Sequence, residues 1–452
     1  MHPISTSNTA LAKQFDAWLG RHFKPSEPGV AVIATRDGKV IFRNGYGMAN
    51  IELGVPVKPA MVFRLGSLTK QFTAVAILML MERGKLALED RITKYIARYP
   101  VHGHKITVEH LLNHTSGIKS YTDMPEFWKD AKEDKSVEEQ IAFFKDQPMD
   151  FKPGQSWHYS NSGYLLLGAI IEKISGQTYE TFLQQHIFDK VGMADTHFDL
   201  PHKIIPGRVQ GYSRNPTTNA VENEAYISMT RPHAAGSLAS SVDDLAKWDA
   251  ALYTERLLSQ HALQQAWTPL TLKNGRHTHY GYDWGSVPLE DVTVIEHGGG
   301  IHGFATHAMR IPERRLYVAA LSNTTNPPLD PGFVASYMAL GLIGKPHHEP
   351  EPISLGKSAL SKFVGRYKVN DWQTITITRM GTSLNVQWQE GRPTQALMAV
   401  ASNGFALPNT MLRLRFNPSG AGPAHEVQLF DRGALIDTAM RIADSGSKRP
   451  VA

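Results

Sequence analysis

Three short stretches of the 452-residue chain carry residue types that make and break acyl bonds. The first is Ser67-Leu68-Thr69-Lys70, which opens the largely apolar run Phe72 to Met81. A serine hydroxyl attacks a carbonyl only when a base removes its proton. On a helix, a residue three positions on faces the same side at roughly 5–6 Å between Cβ atoms, so Lys70 is within reach of Ser67. A lysine buried at a helix start binds its own proton less tightly than one in water and becomes such a base. The unpaired N–H groups of that first turn lie beside Ser67 as donors to an oxyanion. Without partners, the same tetrad is only a serine at a helix start and a solvated lysine.

Tyr159-Ser160-Asn161 supplies candidate partners. Held as a phenolate by Lys70, Tyr159 would act as the base for Ser67, and Asn161 would hydrogen-bond Lys70 or a substrate amide. The bland reading is an exposed aromatic and a helix-capping asparagine. The third stretch, His297-Gly298-Gly299-Gly300, follows the strand-like run Val292 to Ile295. Glycines there let a substrate lie along the strand edge, and a Gly300 N–H with that of Ser67 makes an oxyanion hole. Gly298-x-Gly300-x-x-Gly303 also matches a dinucleotide fingerprint, but a strand-like run follows it where that fingerprint needs a helix. His297, His302 and His307 suggest zinc only by their number. A spacing of five does not bring three rings to one point, and no His-Glu-x-x-His occurs, so neither a metal nor a cofactor is expected.

The elements that must position these groups follow from periodicity. Residues 67 to 83 read as one buried helix ended by Gly84. Leu11, Phe15, Trp18 and Leu19 mark an amphipathic helix over 7–23. Two strand-like runs around Asp37-Gly38, and two more around Pro312-Glu313, read as hairpins. Thr107 caps a helix start, residues 118 to 135 read as a long loop leaning over a site, and residues 164–175, 178–192 and 242–252 read as helices. With strands at both ends and helices between, this region is an α/β (α+β) fold: one antiparallel sheet flanked by helices, with an inserted all-helical lobe over about 66–265. Residues 346–357 are Pro-rich and charged, a linker between a 1–345 domain and a 358–452 domain. The latter shows five short alternating strands and reads as a small β-barrel or sandwich.

Composition narrows the function classes. The absence of cysteine excludes disulfides, thiolate metal sites and cysteine nucleophiles. A net charge of +5 with no basic stripe argues against a nucleic-acid surface. No apolar run approaches the ~20 residues of a membrane span, and residues 1–6 show no leader. The protein is therefore expected in the cytoplasm, or in the periplasm or medium if a leader has been removed.

Taken together, Phe63-Arg-Leu-Gly-Ser-Leu-Thr-Lys70, Leu111-Leu-Asn-His-Thr-Ser-Gly117, Tyr159-Ser-Asn-Ser-Gly-Tyr164 and His297-Gly-Gly-Gly300 resemble the penicillin-recognising serine hydrolases. The branch is the class C β-lactamase-like one that holds D-aminopeptidases, DD-carboxypeptidases and some esterases. The resemblance covers roughly residues 10 to 340. The tail, with Phe363-Val-Gly-Arg-Tyr367, is similar to lipocalin-like barrels appended to some of these enzymes. The resemblance implies Ser67 as nucleophile, Lys70 and Tyr159 as proton-handling pair, Asn161 as positioning group, and His297 with Gly299 along the opposite wall. It implies acylation of the serine and hydrolysis of the ester by water, on a small-molecule or peptide substrate. Where many relatives carry Lys-Thr-Gly, this chain has His297, mostly neutral at pH 7, so capture of a substrate carboxylate is expected to be weak. That points to short esters and D-amino acid amides or peptides, with β-lactam or DD-peptide turnover as the alternative. A protein that is acylated and never released is the alternative of another class. The appended barrel is a candidate surface for a homo-oligomer.

Overall fold

The computed structural model describes residues 8–370, 373–391, 394–418 and 422–442. The stretch 1–6 and residues 443–452 of the expected barrel domain lie outside them. The chain divides into two compact units: residues 1–287 with 293–345, and residues 346–452 with 288–292.

Strands from both ends of the 1–345 region make one sheet. They are β1 (Val30–Arg36), β2 (Lys39–Tyr46), β3 (Gly285–Leu289), β4 (Val292–Ile301), β5 (Phe304–Ile311) and β6 (Leu316–Ser322). Their order is β3-β4-β5-β6-β1-β2, and the pairs β1–β2, β1–β6, β5–β6 and β4–β5 are antiparallel. β1 is buried from Val30 to Ala34, the continuous apolar pattern of a strand covered on both faces. Helix α1 (Asn8–His22) buries Leu11, Phe15, Trp18 and Leu19, the stripe its spacing predicts.

The central helix α2 (Thr69–Glu82) is buried from Thr69 to Leu80. Phe72 packs on Trp248 at 4.3 Å and on Phe188 at 5.7 Å between ring centroids. The expected single helix 67–83 instead begins as a 3₁₀ turn, Gly66–Leu68, so Ser67 stands in the tighter turn that leads into α2. Helix α3 (Asn161–Ser175) starts three residues before its apolar run, with Ser160 accepting from the Gly163 N–H as its cap. Helix α4 (Pro331–Leu342) covers the sheet beside α1, where Tyr337 stacks on Trp18 at 3.9 Å.

Several local expectations change. The helical lobe also holds short strands: Phe63–Arg64, Leu238–Ser240 and His197–Phe198 form one small sheet, and Tyr212–Arg214 pairs with Val221–Asn223. The loop over 118–135 contains a short helix, Pro125–Lys129, with Pro125 at its first turn, where the missing N–H costs nothing. The helix over 178–192 passes through a π-turn at Gln184–Phe188. His297 to Gly300 do not follow a strand but continue β4, and the chain turns only at His302-Gly303 before β5.

In the second unit, eight strands from Gly365–Lys368 to Ala434–Ile442 close into a barrel in sequence order. Its core holds Leu360, Phe363, Tyr367, Phe405 and Phe416. The segment read as a linker is not free of this unit, since the Ile353 N–H donates to the Ala399 carbonyl at 2.8 Å. Among the described residues, no helix is long and apolar enough to cross a membrane.

Candidate active site

The turn that carries Ser67 is fastened from two sides. The Leu65 N–H donates to Leu238 O at 2.8 Å, the Leu238 N–H to Thr69 Oγ1 at 3.0 Å, and Thr73 Oγ1 to Ala234 O at 2.7 Å. From the sheet, Thr306 Oγ1 on β5 donates to Leu65 O at 2.8 Å. Here two glycines are required. Gly66 has φ +56°, and a Cβ on it would lie 2.8 Å from the Gly300 nitrogen. A Cβ on Gly299 would lie 2.0 Å from Leu65 O. Their bare backbones let β4 lie directly against the Ser67 turn.

Lys70 Nζ lies 3.0 Å from Ser67 Oγ and 2.6 Å from the Ala235 carbonyl. The residue is wholly buried, and Nζ faces the rings of Tyr159 (4.7 Å to centroid) and Tyr164 (5.6 Å). Burial pushes the Lys70 ammonium down to about 7. A large share of the molecules thus carries a neutral amine at pH 7, able to accept the Ser67 proton. The Tyr159 hydroxyl, itself buried, lies beside the Ser67 side chain without completing a well-angled hydrogen bond. Burial raises this phenol well above its ordinary range. Of the two bases the sequence offers, burial thus favours a neutral amine at Lys70 and disfavours a phenolate at Tyr159.

His297 on β4 is held on both ring nitrogens. Nδ1 contacts the Gly298 carbonyl at 2.5 Å, Nε2 contacts the Tyr280 hydroxyl at 2.6 Å, and Asp283 Oδ1 lies 3.3 Å from Nε2. Burial pushes this imidazole down to about 3, so it is neutral. The Tyr280 hydroxyl also bridges to Asp283 Oδ1 at 2.9 Å. A carbonyl only accepts, so Nδ1 carries the ring proton and Nε2 accepts from Tyr280. One phenolic proton cannot serve both neighbours, and the set closes when Asp283 is a neutral carboxylic acid. Burial pushes Asp283 in that direction, well above the usual carboxylate range.

Asn161 stands at the start of α3 near Tyr159, but its side-chain amide donates to Thr122 Oγ1 at 3.0 Å rather than reaching Lys70. Its backbone N–H donates to Ser120 Oγ at 3.1 Å, and Ser162 Oγ to Lys119 O at 2.7 Å, so the 118–123 segment is pinned to the helix start. Gly298 and Gly299 are half-buried and Gly300 is exposed along the edge of the cleft. His302, in the turn between β4 and β5, stacks on Trp128, and His307 Nε2 on β5 pairs with Glu296 at 3.1 Å, so His297, His302 and His307 turn to different partners.

Three residues of this cluster were not assigned roles from sequence. His114, with its ring 4.4 Å from that of Tyr159 and Nδ1 accepting from the Ser160 N–H at 3.1 Å, braces the tyrosine. It lies in the Leu-Asn-His-Thr-Ser-Gly run, which was the signal available. Tyr280 and Asp283 lie in an irregular stretch that no motif marks.

The chain has relatives in sequence and in fold. A family model described as Beta-lactamase matches residues 10–342. Penicillin-binding protein 4* of Bacillus subtilis is 30% identical over 77% of this chain and 81% of its own length. A D-aminopeptidase of Gluconobacter oxydans is 26% identical over 66% of this chain, and the chain spans 56% of that relative. The octameric penicillin-binding protein homologue from Pyrococcus abyssi superimposes with a TM-score of 0.67 at 25% identity, covering 96% of this chain and 100% of that one.

Proposed function

Starting from the fact that the chain belongs to the beta-lactamase family of serine hydrolases, we propose that it cleaves short esters and D-amino acid amides or peptides through an acyl-enzyme on Ser67. The observation that carries the reading is a wholly buried Lys70 amine 3.0 Å from Ser67 Oγ. In the proposed cycle, Lys70 takes the Ser67 proton as Oγ bonds to the substrate carbonyl carbon. The N–H groups of Ser67 and Gly300 hold the resulting oxyanion. Tyr159 gives its proton to the leaving group as the scissile bond breaks, and is reprotonated from Lys70. Water then attacks the ester, its proton returns to the Ser67 oxygen, and the acid product departs.

The neutral His297 favours esters and amides over β-lactams, because it offers no cation to a substrate carboxylate. The D-aminopeptidase relative supports the D-amino acid class, and the penicillin-binding relative keeps β-lactam or DD-peptide turnover as the second reading. Turnover of a p-nitrophenyl short-chain ester, a D-amino acid anilide and nitrocefin separates them. Nitrocefin as the best substrate by far overturns the preference. An adduct on Ser67 that persists without product release turns the reading into a binding module. The octameric homologue, matched over both units, supports a homo-oligomer, which light scattering after size exclusion checks.

A further inference from the structure

The wall that carries Gly300 continues past the oxyanion donor. Two residues on, His302 leaves β4 for the turn into β5, and its ring stacks on that of Trp128, with centroids 5.6 Å apart and planes 28° apart. Trp128 belongs to the opposite wall. It lies on the short helix Pro125–Lys129, and its Nε1 donates to the Thr122 carbonyl at 3.1 Å, while Thr122 Oγ1 accepts from the Asn161 amide at 3.0 Å. The His302 side is fastened too, since the Gly303 N–H donates to Glu224 Oε2 at 3.2 Å and to Thr325 Oγ1 at 3.0 Å. The stack thus runs from the segment that holds Asn161 to the strand that offers Gly300, and bridges the two walls of the cleft. Trp128 is 47% exposed, so part of its indole is open to a group lying against it.

The direction of β4 decides which part of a substrate meets this bridge. Tyr159, the proton donor to the leaving group in the cycle above, faces His297 with ring centroids 6.0 Å apart, and His297 precedes Gly300 on the strand. The leaving group therefore lies toward the His297 end of the strand edge, and the acyl group runs from Gly300 toward His302. Two residues of extended backbone cover about 7 Å, roughly the reach of five methylenes. A longer acyl chain meets two rings that their own partners hold in place. We propose that Trp128 and His302 close the acyl end of the Ser67 cleft and set the length of acyl chain that the protein accepts. Short chains fit inside the bridge, and longer ones are turned away. This rests on the hydrolase reading above, and makes the two rings specificity residues of the reaction.

The test compares the wild type, Trp128→Ala, Trp128→Phe and His302→Ala on p-nitrophenyl butyrate and p-nitrophenyl octanoate, each variant checked for a native melting transition. Either alanine should raise kcat/KM for octanoate about tenfold and move that for butyrate by less than about threefold, while Trp128→Phe, which keeps a ring, stays near the wild type. Because one contact carries the effect, the double alanine variant should exceed the better single one by no more than about threefold. A pair that only stabilises the fold would lose both esters alike and gain neither. Octanoate turned over as well as butyrate by the wild type, an octanoate gain missing from a folded alanine variant, an equal loss on both esters, or gains that multiply in the double variant overturns the proposal. Mass spectrometry of the Ser67 peptide keeps the two readings apart. Butyryl against octanoyl labelling reports the same preference even where release is slow, so acylation with an unchanged preference sinks the proposal alone. No acylation of Ser67 by either ester in any variant sinks the hydrolase reading, and the proposal with it.

Discussion

The two units bury their interiors in opposite ways. The barrel core is apolar, and the hydroxyl of Tyr367 within it donates to the Phe363 carbonyl at 2.8 Å. Around Ser67, by contrast, Lys70 and Asp283 are wholly buried and His114 nearly so. There His114 Nε2, Asp283 Oδ2 and the Tyr159 hydroxyl find no partner of good geometry. Buried polar groups left incompletely paired cost stability, and a fold retains them where reacting atoms use them. The contrast teaches where chemistry sits: in the unit that tolerates the cost.

The sharpest break between the regions is Ser67→Ala. It should lower ester turnover by about 10⁴-fold or more while shifting the melting transition little, since one hydroxyl in a partly exposed turn carries little of the packing. A variant that melts far below the wild type would show that the site is structural.

A pH profile comes next. Lys70 acts as a base only when unprotonated, so kcat/KM should rise about tenfold per pH unit up to about 7 and flatten above it. A rate that falls as pH rises through 7 would make the ammonium the working form.

In the barrel the equivalent stress is apolar. Phe416, with no exposed surface and ring contacts to Phe363, Tyr367 and Phe405, should cost about 3–5 kcal/mol when changed to Ala, read by urea unfolding of the barrel transition. A cost near zero would mean that this core is not packed as described.

Asp283 distinguishes a neutral acid from a buried charge. As a neutral donor to Tyr280, it should be replaced by Asn with only a few-fold loss of kcat/KM, whereas Leu, which leaves Tyr280 and His297 unsupported, should lose about 30-fold. Equal damage from both contradicts the neutral-acid assignment. The smallest effect is expected at Tyr367→Phe, about 0.5–1.5 kcal/mol of barrel stability, because it removes a single satisfied hydrogen bond.

Legibility in the sequence followed locality. Ser67 and Lys70 could be paired because three residues on a helical turn fix their neighbourhood. The glycines of β4 could be noticed because only glycine lets two backbones meet. Tyr280 and Asp283 could not, since they come to Lys70 and His297 through tertiary packing of an irregular stretch, with Asp283 at φ +63°. The same holds in the barrel, where the three-residue strand Gly404–Ala406 is too short for alternation to register, and Ala434–Ile442 is too polar and exposed to look like a strand with a core face. Which member of the Lys70–Tyr159 pair takes the Ser67 proton is not legible in a linear motif, because the burial that raises the Tyr159 phenol and lowers Lys70 comes only with the fold.

The most direct measurement is a rapid-quench experiment with p-nitrophenyl butyrate, followed by mass spectrometry of the peptides. The account expects a butyryl adduct on the Ser67 peptide that forms within the first turnover, decays as free acid appears, and is missing from the Ser67→Ala protein. Product release with no adduct at Ser67, or with the label on another residue, would contradict it.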